Sequence, residues 1–179
     1  METYIALLRG INVSGQKMIK MTDLANLLSE LDLIYIRTYI QSGNIVFEYP
    51  KTDQKNLATL IQQKITRHYK FDVPVIIRHR DELLNIADQN PFLKRNNDIE
   101  KLYVTFLEEE PSADIIGKAK ETITDQDVFE VTGKEVFVYC PDGYGRTKLN
   151  NSFFEKQFET RATTRNWKTV LTLSVMALQ

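Results

Sequence analysis

The sequence is short of the features that announce most functional classes. Its one cysteine, Cys140, cannot form an internal disulfide. Its two histidines, His68 and His79, are not spaced with a cysteine or with each other as metal ligands are, so no metal site and no cofactor is expected. Neither sign of charge dominates: 23 Lys+Arg face 24 Asp+Glu, a formal charge of −1, which excludes the wholesale basicity of a histone-like binder. No window approaches the roughly 18 unbroken apolar residues of a membrane span. The first ten residues lack the basic stretch and apolar run of a secretory signal, so a cytoplasmic protein is expected. What is present is ordinary for a globular chain: 42% apolar and 26% charged residues over 179 positions. At that length roughly 70% of the unfolded surface can be buried, so folding needs no disulfide or metal.

Two hydrophobic periodicities alternate along the chain. Tyr4 to Leu8 reads as a buried strand. Thr22 offers an N-cap to a helix with Leu24, Leu27, Leu28 and Leu31 on one face. Arg37 to Gln41 and Ile45 to Tyr49 read as a hairpin turning at Ser42-Gly43-Asn44. Asp53 caps a helix striped by Leu57, Leu60, Ile61 and Ile65, and Val73 to Ile77 closes a β-α-β-β-α-β unit as an edge strand. A short helix with Leu83 and Ile86 follows, stopped at Asn90-Pro91.

A second pass then begins. Lys101 to Leu107 reads as a strand, Ser112 to Thr122 as a helix, Val128 to Cys140 as a hairpin turning at Gly133-Lys134, and Leu149 to Phe158 as an aromatic helix. A terminal helix carries Trp167, Val170, Leu171, Val175 and Leu178 on one side. Gly43, Val46, Phe47 and Tyr49 recur as Gly133, Val136, Phe137 and Tyr139. The expected fold is therefore α+β, two split-βαβ (ferredoxin-like) subdomains from a duplication: residues 1–80, a linking segment with a short helix over 81–99, and residues 100–179 with a C-terminal helix.

The halves differ in one loop. The connection from Gly10 to Met21 is far longer than the usual two to six residues of a strand-to-helix loop, whereas its counterpart can be as short as Glu108 to Pro111. Split-βαβ topology places the long loop and the Ser42-Gly43-Asn44 turn at one end of the sheet. From Arg9 to Lys20 the chain carries three cations, Arg9, Lys17 and Lys20, and no acid, with two glycines that let backbone N–H groups converge. That is anion-site chemistry, although neither the GxxxxGK[ST] nor the GxGxxG spacing occurs. The competing reading is a tight turn with solvated lysines.

A second basic region spans Tyr144 to Lys168, with six cations, among them Arg146, Lys148 and Arg165, against two acids; Asp98 to Glu130 has ten acids against three lysines. Thr147, Thr163 and Thr164 are candidate helix caps there. Cys140 reads as a small core residue. Ser42 to Tyr49 fits the K/R-G-F/Y-G/A-F-V-x-F/Y pattern of RNA-recognition sheets only at its glycine and last aromatic, so base readout on an exposed sheet is not expected.

Four ordered motifs, Leu7-Leu8-Arg9-Gly10-Ile11-Asn12-Val13, Tyr39 to Phe47, Asn90-Pro91-Phe92 and Thr164-Arg165-Asn166-Trp167, make the sequence similar to the bacterial domain of unknown function 1697 family over nearly the whole chain. The resemblance implies a cytoplasmic bacterial protein with two similar α/β subdomains and no established reaction, cofactor or partner. It departs at Ser14, where a second glycine beside Gly15 is expected. It singles out Arg9, Asn12, Ser42, Asn44, Arg165 and Asn166.

Two functions follow as expectations. One is binding of a phosphate-bearing small ligand or nucleic acid end, with Arg9, Lys20, Arg146, Lys148 and Arg165 donating charge and Asn12, Ser42, Asn44 and Asn166 as polar groups of the site. The other is a protein-interaction module in which those polar residues only brace the two subdomains. Catalysis has the least support, since no nucleophile or acid–base pair is visible.

Overall fold

A computed structural model describes residues 1–95, 97–124 and 126–179. The chain forms two units, Met1–Leu84 with Leu173–Gln179, and Asn85–Thr172. The first contains β1 (Glu2–Leu8), α1 (Met21–Ser29), β2 (Ile34–Tyr39), β3 (Asn44–Tyr49), α2 (Gln54–Tyr69) and β4 (Val75–His79); α3 (Arg80–Gln89) follows without a loop. The second contains β5 (Leu102–Leu107), α4 (Ala113–Glu121), β6 (Val128–Thr132), β7 (Glu135–Tyr139), α5 (Asn151–Phe158) and β8 (Ala162–Asn166), continued by α6 (Trp167–Ala177). Each unit holds a four-stranded antiparallel sheet, ordered β2-β3-β1-β4 and β6-β7-β5-β8. The α+β class and the repeated split-βαβ order are thus as expected. Among the described residues no helix is long and apolar enough to cross a membrane.

In the first unit one sheet face, with Tyr4, Ala6, Leu8, Ile45 and Phe47, packs into a core with Leu24, Leu28, Leu57, Ile61 and Ile65 of the helices. In the second, Leu107, Val136, Val138, Cys140, Phe154 and Ala162 share a core, which gives Cys140 the packing role expected of it. The opposite faces are buried as well: Ile5, Leu7 and Val46 in one sheet and Val104, Phe106 and Phe137 in the other are at most 1% exposed. An open platform for stacking bases is therefore absent from both sheets.

Five details depart from the sequence reading. Thr22 lies inside α1, whose N-cap is Lys20 with no side-chain bond. The strand closing the first unit is shifted toward His79, with Pro74 just before it rather than within it. Thr163 and Thr164 are not caps but residues of β8, which pairs Arg165 with Val104 and Thr164 with Thr105 along β5. Leu171 and Val175 of α6, and Leu178 just beyond its end, are exposed, while Trp167, Val170, Leu173, Ser174 and Ala177 are buried. The sequence match between the hairpins is also out of step. Tyr4 pairs with Phe47 and Tyr103 with Val138, so Phe47 corresponds to Val138 and not to the matched Phe137. A slip of one residue reverses the faces: Val136 joins the helix-side core of its own unit, whereas Val46 lies outside that of the first unit. The duplication rests on topology, not on those four residues.

Candidate functional site

The loop from Gly10 to Lys20 is a miniature hairpin. Gln16 N–H donates to the Val13 carbonyl at 2.9 Å and Asn12 N–H to the Lys17 carbonyl at 3.2 Å. At its tip Ser14 and Gly15 have φ of 50° and 73°, the doubly positive pattern of a type I′ turn. Ser14, standing where a glycine was expected, has taken the left-handed conformation that glycine favours. Gly10 (71°), Asn12 (55°) and Lys17 (46°) share that region. Ile11 and Ile19 are buried at the two ends, while Val13 and Met18 are 57% and 63% exposed.

Asn12 holds this shape. Its amide donates to the Ile19 carbonyl at 2.9 Å and the Gln41 carbonyl at 2.7 Å, and its Oδ1 accepts from Ile19 N–H at 2.8 Å. The bond to Gln41 joins the loop to the hairpin turn, the proximity that the topology demands. Beside it the buried Asn44 amide donates to the Tyr39 carbonyl and to Ser42 Oγ, both at 3.0 Å. Gly43 makes the close approach possible: a Cβ there would stand 2.6 Å from Leu8 Cβ and 2.9 Å from Ile11 Cδ1. Arg9 is half-buried, and its backbone N–H donates to the Pro74 carbonyl at 2.9 Å. Lys17 Nζ donates to the Asp72 carbonyl at 2.6 Å, and Lys20 is exposed. The first unit thus gathers Asn12, Ser42 and Asn44 at one end of its sheet, with Arg9 at the end of β1 and Lys20 where the loop enters α1.

In the second unit Arg146 and Lys148 are exposed on either side of Thr147, whose hydroxyl donates to Asp127 at 2.5 Å and accepts from Leu149 N–H at 2.9 Å. Arg165 is buried in β8, where its guanidinium donates to Thr163 Oγ1 and the Thr164 carbonyl, both at 2.9 Å. Burial pulls its pKa down to about 10, and the neighbouring Tyr144 opposes the shift. Asn166 Oδ1 accepts from Thr169 N–H at 2.8 Å and so caps α6. Asn12, Asn44 and Asn166 all spend side-chain groups on backbone of this same chain; Lys20, Arg146 and Lys148 face solvent.

Two split-βαβ units, the first with its loop and hairpin turn braced by asparagines, define the class: a duplicated α+β protein. The chain belongs to the family described as Protein of unknown function (DUF1697), whose model matches residues 1–137. Its structure is similar to that of the conserved bacterial protein SP0830 from Streptococcus pneumoniae, with a TM-score of 0.79 and 22% identity, over 100% of this chain and 99% of that one. None of the curated proteins matches it.

Proposed function

We propose that the protein is a cytoplasmic interaction module that contacts a partner protein through the tip of the Gly10–Lys20 loop, its motif asparagines acting as braces. One observation carries this reading: both amide N–H groups and the carbonyl of Asn12 are engaged inside its own unit, which leaves little with which to hold a ligand. The tip offers Val13 and Met18 to solvent, and no acid interrupts the chain from Arg9 to Thr22. A partner surface apolar at its centre and acidic at its rim complements it.

Binding of a phosphate-bearing small ligand or nucleic acid end is the second reading, favoured by the exposure of Lys20, Arg146 and Lys148. A thermal-shift series with inorganic phosphate, nucleoside monophosphates and phosphate esters separates the two, because a ligand stabilises the state it binds. The module reading expects a flat response and a lowered Tm for Asn12→Ala. A phosphate-dependent rise that disappears in Lys20→Glu transfers the conclusion to the second reading. An Asn12→Ala protein as stable as the parent removes the braces and the first reading with them.

A further inference from the structure

On the first unit's edge strand, β2, the register shifts between Ile34 and Arg37, and Tyr35 inside this irregularity stands at φ 50° with 71% of its surface exposed. A bulky residue in the left-handed region is a true backbone outlier, and a bulge re-aims a side chain. Here it holds an aromatic ring out in solvent. Beside the ring lies a hollow of about 300 Å³ lined by Tyr35, Ile36, Arg37, Glu48 and Gln179.

Two charges of opposite sign meet this hollow without meeting each other. Arg37 pairs with Val46 across the strands, and Glu48 follows two residues further along β3, so the pleat puts both on the sheet face turned from the helices. The Arg37 guanidinium donates to Gln179 Oε1 at 3.4 Å, a long bond. The Glu48 carboxylate makes no hydrogen bond or ion pair with any described residue, although its backbone pairs in the sheet. A simple anion drawn to Arg37 would be repelled by Glu48, and a simple cation drawn to Glu48 would be repelled by Arg37. A zwitterion satisfies both, with charge-assisted hydrogen bonds at either end. The volume is at the lower end for ligand pockets, which sets the ligand near amino-acid size.

We propose that this hollow binds a free α-amino acid with an aromatic or branched apolar side chain: its carboxylate on Arg37, its ammonium on Glu48, its side chain against the ring of Tyr35. The site does not depend on the loop reading above.

The test is an isothermal and NMR titration of the full chain with L-phenylalanine and L-leucine, beside N-acetyl-phenylalanine and phenylalanine amide. The free amino acids should bind and shift the resonances of these five residues, and each blocked analogue should bind roughly tenfold more weakly or worse, the size of one lost charge-assisted contact. Glu48→Gln should weaken phenylalanine while sparing N-acetyl-phenylalanine, and Arg37→Gln should spare the amide. Tyr35→Gly, which relieves the backbone, should weaken binding without lowering Tm. Amino acids that move none of these resonances, or blocked and free forms bound alike, overturn the proposal. So does undiminished phenylalanine binding by a folded Glu48→Gln protein.

Discussion

Asn12 and Ile19 are tied to each other twice: the Asn12 amide donates to the Ile19 carbonyl at 2.9 Å, and Ile19 N–H returns a bond to Asn12 Oδ1 at 2.8 Å. One side chain closes the neck of the loop in the manner of a strand pair. A third bond, to the Gln41 carbonyl, fastens that neck to the next turn. Asn12→Ala removes all three and leaves a non-glycine residue at φ 55°. Each bond contributes about 1 kcal/mol net, and left-handed backbone adds about 1 kcal/mol for alanine. A loss of about 3–4 kcal/mol in denaturant unfolding is expected. Asn12→Gly, which forfeits the bonds but accepts the backbone angle, should lose about 1 kcal/mol less. Equal losses would show that the conformation, not the bonding, is unimportant.

Gly43 and Gly15 have nearly the same backbone, φ 76° and 73°, in opposite surroundings. A Cβ on Gly43 would stand 2.6 Å from Leu8 Cβ in the core, whereas nothing lies within 4 Å of one on Gly15. Gly15→Ala should therefore lose only the conformational term, about 1 kcal/mol. Gly43→Ala must also displace β1 or Ile11, and overpacking of that kind adds about 1–3 kcal/mol. Chemical denaturation of the two variants side by side measures the difference. Matching values would mean that the hairpin turn yields more freely than its packing indicates.

The elements with strong periodicity were legible from sequence, and the failures have physical causes. β8 escaped notice because its buried residues Thr163 and Arg165 are polar, so no apolar alternation marks Ala162 to Asn166 as a strand; pairing with β5 makes it one. The Trp167 to Leu178 stretch is apolar nearly all round, and two sets of residues fit helical spacing equally well. The hairpin match failed because similar strands slide past each other in sequence at little cost, while a one-residue slip in the sheet reverses every face. The loop and hairpin turn were placed together correctly from topology, yet the use of Asn12 and Asn44 as braces became visible only with partners in hand. Tyr35 gave no signal at all: the strand was read from Arg37 to Gln41, whereas β2 runs Ile34–Tyr39, and nothing in Ile34-Tyr35-Ile36 marks the bulge that turns the ring outward.

The α6 ambiguity yields a direct comparison. Leu173 is fully buried and Leu171, two residues earlier, is 41% exposed. Leu173→Ala should cost about 2–5 kcal/mol, the range for emptying a packed leucine site. Leu171→Ala should stay within about 0.5 kcal/mol, as surface substitutions do. Thermal unfolding of both variants decides which face the helix buries. A greater loss from Leu171→Ala would restore the face first read from the sequence.

Tyr69 carries a buried hydroxyl with no hydrogen-bond partner among the described residues, on a ring stacked at 5.8 Å against Phe71. Burial, with the Asp23 charge as the lesser cause, raises its phenol pKa above the ordinary tyrosine value. A raised pKa in the folded state means that the phenol's full contribution is present below the unfolded pKa. It is lost as pH rises through the folded value, because the unfolded chain then releases the proton more readily. Tyr4, raised chiefly by burial as well, adds to the same alkaline loss. Glu30 governs the other limb. Its bond from Lys64 at 2.6 Å holds the carboxyl below the usual range, so its small contribution exists above the unfolded pKa and fades as pH falls through the folded one. Tyr69→Phe keeps the ring and deletes the unpaired hydroxyl. At neutral pH it should be neutral or stabilising by up to about 1 kcal/mol. In a pH series of urea midpoints its alkaline decline should begin at higher pH than the parent's, while the acid side stays unchanged. An alkaline limb that does not move would place the lost stability in other groups and leave the Tyr69 phenol ionising as it does in water.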